Sequence, residues 1–283
     1  MNANIDDATL AAAESLRGQP VSTQEYLLAI RPKLVLYALF GTLMCMGHLT
    51  GSWVWECVFA GLVVALLTSG IMIWNDYFDR YHDIGKDRTL AVRQPKRFLG
   101  YVIGVWLVTL GGIAWVWLDN PFAGWVLAAM ALNGFVYGWF RVVPLLSGLS
   151  VAFSFAGLVL IAGAYAPDVS TFSIGVLFIC ILAMAFGREN TADLEDLEID
   201  TRYKATLSVT FGKDIAVSVI SVVTVVSVGA ALFISPWCVV VVPFTLKVMV
   251  GLRERELDFD RLQKLYDVQC LLVMVILPFV KPS

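Results

Sequence analysis

Two clusters of oxygen-bearing side chains each follow an apolar stretch of this chain. The first cluster contains Asn75, Asp79 and Asp83, and the second contains Asp193, Asp196 and Asp200. If each segment is helical, spacings of i, i+4, i+8 and i, i+3, i+7 place the members of a cluster on one helical face. Like charges on one face repel, and a cation held between the two faces would relieve that repulsion.

A ligand set made only of oxygen atoms favours a hard cation such as Mg²⁺, which proteins bind through carboxylates together with substrate phosphates. If the two faces meet across a bundle, we expect them to hold two or three Mg²⁺ ions and, through these ions, a diphosphate. Basic residues flank both clusters and are candidates for binding phosphate oxygens: Arg80, Lys86, Arg88, Arg188 and Lys204. The alternative is that both clusters are ordinary solvated loops of mixed charge.

Three further residues stand close to these patterns. Glu189 lies one turn before Asp193 and on the same predicted face. Arg141 ends an apolar stretch, and a charged residue near the interior of a membrane bundle is a functional candidate. Tyr137 lies one turn before Arg141, where it is either part of the same site or an aromatic residue at the membrane interface.

The elements that must position these residues are membrane helices. Of the 283 residues, 59% are hydrophobic and 15% are charged, whereas a soluble domain has about 25% charged residues. Stretches long enough to cross a bilayer predict an all-α, polytopic bundle of about nine transmembrane helices around a central cavity. The predicted spans are Leu34–Leu49, Trp53–Trp74, Phe98–Leu118, Phe122–Phe140, Leu145–Ala166, Phe172–Phe186, Ile215–Ile234, Trp237–Leu252 and Leu265–Val280.

Charge placement predicts the orientation of this bundle. The loops after the first, third, fifth and seventh spans carry no Lys or Arg, so the positive-inside rule places the N-terminus and both acidic clusters in the cytoplasm. Residues 1–22 form a polar tail without the apolar core of a signal peptide, and we expect it to be disordered or a surface helix. Residues 23–283 are expected to form a single domain. The five cysteines show no metal-ligand spacing.

The same motifs resemble those of the UbiA superfamily of membrane prenyltransferases. The first superfamily motif, Asn-Asp-x-x-Asp-x-x-x-Asp, is matched by Asn75, Asp76, Asp79 and Asp83. The second motif, preceded by Arg-Glu, is matched by Arg188, Glu189, Asp193, Asp196 and Asp200. Arg31-Pro32, the Tyr137/Arg141 pair and the Lys204-Ala-Thr206-Leu207 segment also resemble family features. Two departures are a loop after the first motif without the usual Arg-Pro pattern, and Gly148 where several members have Asn.

The resemblance implies an enzyme that binds an isoprenoid diphosphate through Mg²⁺ and transfers the prenyl group to a lipophilic aromatic or hydroxyl acceptor. It implies metal ligation by Asn75, Asp79, Asp83, Asp193, Asp196 and Asp200, and diphosphate binding by Arg88, Arg141, Arg188 and Lys204. It also implies catalytic or substrate-positioning roles for Asp76, Tyr137, Glu189 and Arg31.

Two other functions are compatible with these motifs. A terpene cyclase of the same superfamily would ionise the diphosphate and cyclise it. A transporter would place more of its acidic residues at the membrane midplane. We expect a multi-pass protein of a bacterial inner membrane, in contact with lipid, without nucleic acid and without an obligate protein partner.

Overall fold

The computed structural model describes residues 7–51, 55–81, 84, 89–140, 142–195, 197, 204–253 and 258–276, and these residues contain helices and no strand. The helices are α1 (Asp7–Leu16), α2 (Thr23–Ala29), α3 (Pro32–Thr50), α4 (Trp55–Phe78), α5 (Leu90–Arg93), α6 (Pro95–Asp119), α7 (Pro121–Phe140), α8 (Leu146–Ala164), α9 (Thr171–Glu195), α10 (Leu207–Phe211), α11 (Lys213–Ile234), α12 (Val242–Gly251) and α13 (Phe259–Ile276). A 3₁₀ segment, Pro236–Val241, precedes α12.

The predicted all-helical membrane fold is confirmed. Seven of the described helices are long and apolar enough to cross a bilayer: α3, α4, α6, α7, α8, α9 and α11. Large apolar side chains such as Leu107, Leu118 and Trp125 are exposed on the outer surface. A surface of this kind is typical of contact with lipid acyl chains, because large exposed apolar patches are rare on soluble monomers.

The predicted count of nine spans is not confirmed. The eighth predicted span is divided between the 3₁₀ segment and the ten residues of α12. The described part of the ninth belongs to α13, which begins before the predicted span, at Phe259, and carries Arg261, Lys264 and Asp267 in its first half. The sixth predicted span was too short, because α9 continues past Phe186 to Glu195 and carries Asp193, the first residue of the second acidic cluster.

Small residues let the cavity-lining helices pack closely. A Cβ added at Gly134 of α7 would lie 2.3 Å from the side chain of Ile71 on α4. A Cβ added at Gly157 of α8 would lie 2.7 Å from Met130 on α7. Close backbone approach at small residues is the usual means of packing helices in lipid, where the hydrophobic effect between helices is weak. These contacts fix the relative positions of α4, α7 and α8 around the cavity.

The N-terminal segment contains a surface helix, α1, and the residues that follow it are hydrogen-bonded to Arg93 at the end of α5. The backbone N–H of Gly18 donates to the carbonyl of Arg93 at 2.9 Å. The Arg93 guanidinium donates to the Pro20 carbonyl and pairs with Glu25. Of the two expectations for the polar tail, a surface helix is confirmed over Asp7–Leu16.

Candidate active site

A cavity of about 560 Å³ lies among the membrane helices, with walls from α3, α4, α7, α8 and α9. Its polar lining residues include Arg31, Lys33, Asn75, Asp79, Arg188, Glu189, Asp193 and Lys204. Its apolar lining residues include Leu67, Ile71, Met130, Phe155 and Leu158. The charged residues lie at the start of α3, at the ends of α4 and α9 and, for Lys204, just before α10, whereas the apolar ones lie further along the helices. The cavity therefore joins both acidic clusters to an apolar interior.

The first cluster contributes two side chains to this cavity. Asn75 is in the last turn of α4, and the backbone N–H of Asp79 donates to the Asn75 carbonyl at 2.8 Å. This bond extends the helical geometry one residue past Phe78, so both side chains keep the predicted common face. Asn75 is 9% exposed and Asp79 is 5% exposed. Buried oxygen ligands on one face are what a cation site requires.

Asp76, unlike Asn75 and Asp79, forms an ion pair with Arg31. Its Oδ1 accepts a hydrogen bond from the guanidinium of Arg31 at 2.7 Å, in a partly buried ion pair. Arg31 precedes α3 in the left-handed region, with φ of 52° and ψ of 68°. A side chain in this region costs about 1–2 kcal/mol, and such strain often marks a functional site. The Asp76 pair holds Arg31 at the polar end of the cavity.

The second cluster begins on one continuous helix. Arg188, Glu189 and Asp193 all line the cavity from α9, and Asp193 is 6% exposed. The Nζ of Lys204 lies 3.7 Å from Asp193 Oδ1. The structure therefore brings four of the predicted residues together, with a basic side chain beside the candidate metal ligand.

The segment that follows Lys204 explains its position. Thr206 caps α10, because its Oγ1 accepts from the Val209 N–H at 3.3 Å. Leu207 is buried against Leu194 near the end of α9, and Ser208 donates to the Asp193 carbonyl at 3.4 Å. These contacts attach the Lys-x-Thr-Leu segment to the end of α9.

Two charged residues of the site, Lys33 and Asp267, were not predicted from the sequence. Asp267 on α13 accepts from Lys33 Nζ at 2.7 Å through Oδ2 and from Arg188 Nε at 2.9 Å through Oδ1. It thereby joins three helices and fixes two cations that line the cavity. Asp267 falls inside the ninth predicted span, and a charged residue inside a span is a functional candidate. That signal was present and could have identified it.

The approach of α13 to α9 depends on a glycine. A Cβ at Gly187 would lie 3.0 Å from the hydroxyl oxygen of Tyr266, which is fully buried. The Tyr266 hydroxyl also hydrogen-bonds Thr224 on α11. Gly187 and Tyr266 directly precede Arg188 and Asp267, so this contact sets the separation of that ion pair.

The structure places the remaining candidates as follows. Tyr137 lines the cavity from α7. Asp83, Arg88, Arg141, Asp196 and Asp200 lie outside the described residues, and their predicted roles stay predictions. Within the described part of the chain, no three acidic, histidine or cysteine side chains form a metal site. Half of the predicted ligands fall outside that part.

The described ligands fit Mg²⁺ in their chemistry. Asn75, Asp79 and Asp193 offer only oxygen atoms, and all three face the same cavity. Basic side chains beside them can take the phosphate oxygens that complete a Mg²⁺ shell. The residues present therefore suit a divalent cation that is shared with a phosphorylated substrate.

Both the sequence and the fold of this chain resemble known proteins. A profile of the UbiA prenyltransferase family matches residues 34–261. The chain belongs to the UbiA prenyltransferase family. Its fold resembles a digeranylgeranylglyceryl phosphate synthase, with a TM-score of 0.69 and 16% identity over 91% of this chain and 97% of that one. A comparison with curated protein sequences gives no match.

Two further structural relatives are forms of a UbiA homologue from Archaeoglobus fulgidus. The form bound to DMAPP and Mg²⁺ has a TM-score of 0.65 and 16% identity, covering 89% of this chain and 99% of that one. The form bound to GPP and Mg²⁺ has a TM-score of 0.67 and 16% identity, covering 90% and 98%. At this identity the likeness establishes a shared fold.

One departure from the UbiA pattern has a local explanation. A Cβ at Gly148 would lie 2.9 Å from the Nδ2 of Asn190 and 3.2 Å from the ring of Phe186. Asn190 is buried and donates to the Phe186 carbonyl at 2.8 Å. Glycine at position 148 therefore allows α8 to pack against the turn of α9 that carries Glu189 and Asn190.

Proposed function

We propose that this protein transfers a prenyl group from an isoprenoid diphosphate to an aromatic or hydroxyl acceptor within the membrane, using Mg²⁺. The observation that carries the proposal is the cavity itself. Buried oxygen ligands and basic side chains lie at one end, and apolar side chains continue from there into the bundle. A prenyl diphosphate has the same division between a charged head and an apolar tail. The diphosphate and Mg²⁺ ligands of the Archaeoglobus relative support this choice.

Each group of residues has a defined role in this proposal. Asn75, Asp79 and Asp193 bind the metal, together with the predicted ligands Asp83, Asp196 and Asp200. When bound, Mg²⁺ neutralises the charge that develops on the leaving diphosphate. Arg188 and Lys204 bind phosphate oxygens, with Arg88 and Arg141 as further candidates.

The chain also controls the reaction after the carbon–oxygen bond breaks. The diphosphate leaves with the bonding electron pair, and the prenyl group becomes an allylic cation. Apolar side chains such as Leu67, Ile71 and Leu158 exclude water from the cavity interior, which protects this cation from hydrolysis. A carbon or hydroxyl oxygen of the acceptor then forms the new bond to the prenyl carbon, and the acceptor loses a proton. Tyr137, Glu189 and Arg31 position the two substrates at the polar end.

Purified protein in nanodiscs that contain a membrane lipid extract, as the source of acceptor, should release diphosphate from prenyl diphosphates of C10 to C20 length only when Mg²⁺ is present. Asp79→Ala should reduce this release at least about 100-fold, because it removes one of the few carboxylate ligands. Asp214→Ala is a matched control, because Asp214 lies in the first turn of α11 and does not line the cavity. Full activity of Asp79→Ala would refute the metal assignment. If a cyclic hydrocarbon formed in the absence of acceptor, the protein would be a terpene cyclase and the transferase proposal would be wrong.

We further propose that the protein sits in a bacterial inner membrane with its N-terminus and the polar end of the cavity in the cytoplasm. The absence of Lys and Arg from alternate loops supports this orientation. Cysteine accessibility gives the test. A cysteine introduced at Gln19 should not react with an impermeant maleimide in intact cells. It should react after the cells are lysed, when the reagent reaches the cytoplasmic face of the membrane.

A further inference from the structure

A second polar group lies inside the cavity, away from the acidic clusters. Asn133 on α7 and Ser150 and Ser154 on α8 line the same cavity as the candidate metal ligands, and Thr68 lines it from α4. Asn133 is one helical turn before Tyr137, and Thr68 is seven residues before Asn75. At 1.5 Å per residue, Thr68 lies about 10 Å along α4 from that ligand. Polar side chains at this depth of a membrane bundle are uncommon and often functional.

The hydrogen atoms of this group are all engaged within the protein. The Asn133 amide nitrogen donates to the Ser150 carbonyl at 2.8 Å and to Ser154 Oγ at 2.9 Å. Ser150 Oγ donates to Asn133 Oδ1 at 2.8 Å, and Ser154 Oγ donates to the Ser150 carbonyl at 3.1 Å. Thr68 Oγ1 donates to the Val64 carbonyl at 2.9 Å.

This arrangement leaves oxygen lone pairs, and no uncommitted donor, among these four side chains. A ligand that donates a hydrogen bond can add to the group without breaking an existing bond. A ligand that only accepts must first displace one of the bonds, and a carboxylate would also be repelled by the oxygen atoms. The surrounding wall is apolar, with Leu67, Met130 and Phe155, so an anion would find no counter-charge at this level.

From this geometry we propose that Asn133, Ser150, Ser154 and Thr68 form an acceptor subsite that binds a neutral substrate through a hydroxyl group. The inference rests on the proposed function for its statement that the bound molecule is the prenyl acceptor. It narrows the acceptor to hydroxylated, uncharged compounds such as phenols and quinols. The rise of about 10 Å along α4 between Thr68 and Asn75 is long enough for the reactive prenyl carbon and one ring.

The same hydrogen bonds also join α7 to α8, so a purely structural role must be separated from ligand binding. The chain offers a matched control at the opposite end of this helix pair. Asn120, just before α7, donates from Nδ2 to the Ala164 carbonyl of α8 at 2.9 Å, and it does not line the cavity. Asn120→Ala removes an interhelical bond of the same kind without touching the subsite.

The test measures binding to the whole protein in nanodiscs by ¹⁹F NMR, without prenyl diphosphate and with empty nanodiscs as background. The probes are 6-fluoro-2-naphthol, its methyl ether, and 6-fluoro-2-naphthoate. The naphthol should bind wild type about fivefold or more tightly than either of the others, which corresponds to one hydrogen bond. Asn133→Leu should reduce that preference to less than twofold, whereas Asn120→Ala should leave it unchanged.

Ser154→Ala guards against a failure of Asn133→Leu to fold. It removes one acceptor oxygen and frees one N–H of the Asn133 amide. The affinity for the methyl ether, which can accept from that N–H, should therefore rise relative to the affinity for the naphthol. Equal binding of naphthol and ether to wild type would overturn the subsite, as would a preference that survives both variants. The readout does not depend on turnover. A protein that prefers the naphthol but releases no diphosphate would therefore support the subsite and refute the proposed function.

Discussion

Replacing Asp267 with Asn gives the sharpest test of how the basic end of the cavity is built. The substitution keeps the size of the side chain and removes the charge that holds Lys33 at 2.7 Å and Arg188 at 2.9 Å. We expect the protein to lose stability and the enzyme to lose kcat, because Arg188 would no longer be held toward the diphosphate. Substrate positioning of this kind contributes strongly to rate, and a displacement of about 1 Å can cost about 100-fold.

The magnitude follows from the two ion pairs. Unit charges about 4 Å apart attract by roughly 4 kcal/mol at an effective dielectric constant of about 20. The Asp267 side chain is 12% exposed and that of Arg188 is 25% exposed, whereas that of Lys33 is 65% exposed. The exposed Lys33 pair contributes less than about 1 kcal/mol. After the desolvation of the carboxylate is offset, we expect Asp267→Asn to lower the free energy of unfolding by about 2–3 kcal/mol, mainly through Arg188.

Two measurements check this prediction. Unfolding in mixed detergent micelles gives the stability, and initial rates at varied prenyl diphosphate concentration separate kcat from KM. Asp258→Asn is the control, since Asp258 lies just before the same helix and its Oδ1 accepts from the backbone N–H of Arg261 at 3.0 Å, a bond that Asn can also accept. Asp267→Glu should recover part of kcat by restoring the charge. If Asp267→Asn retained wild-type stability and kcat, the proposed positioning of Arg188 by α13 would be wrong.

Two further predictions concern backbone geometry at the site. Arg31→Gly should keep the free energy of unfolding within about 1 kcal/mol of wild type, because relief of the left-handed strain offsets the lost Asp76 pair. Its kcat/KM for the prenyl diphosphate should nevertheless fall. A kcat/KM equal to that of wild type would show that Arg31 is not part of the site. Gly187→Val should lower the thermal unfolding midpoint in detergent, with a cost of about 1–3 kcal/mol, because the valine side chain would meet Tyr266. Gly175→Val is the control on the same helix, since a Cβ there has no neighbour within 4 Å. Similar losses in both variants would contradict the packing argument.

The sequence predicted the membrane helices well because their signal is local. Apolar length alone located α3, α4, α6, α7, α8, α9 and α11 to within a few residues, except at the end of α9. The span predicted from hydropathy ended at Phe186 because the residues that follow are polar. The helix continues inside the bundle, where Asn190 and Thr191 donate to the carbonyls of Phe186 and Gly187, four residues earlier, at 2.8 and 2.9 Å. Asn190, Thr191 and Asp193 are buried there by neighbouring helices, and hydropathy along the sequence contains no signal for that tertiary packing.

The site was predictable where the motif spacing matched a helical face, as for Asn75 and Asp79. It was not predictable where residues far apart in the chain meet. Asp267 lies 79 residues from Arg188 and 234 residues from Lys33 along the chain, so no local spacing connects them. The Asn133 group escaped for a similar reason. A lone Asn and two Ser residues in apolar helices have no pattern until α7 and α8 are placed side by side.

The structure also separates acidic residues that the motifs treat together. Asp76 and Asp267 each hold basic residues of the cavity at 2.7–2.9 Å, while Asp79 faces the cavity from α4 and Asp193 from α9. Because Arg31, Lys33 and Arg188 already have carboxylate partners outside the predicted ligand set, they can remain in place before any substrate arrives. A diphosphate then meets cations whose positions are fixed, and little ordering remains to oppose its binding. The acidic residues of this site thus have two roles, since Asp76 and Asp267 hold basic side chains in place whereas Asp79 and Asp193 line the cavity.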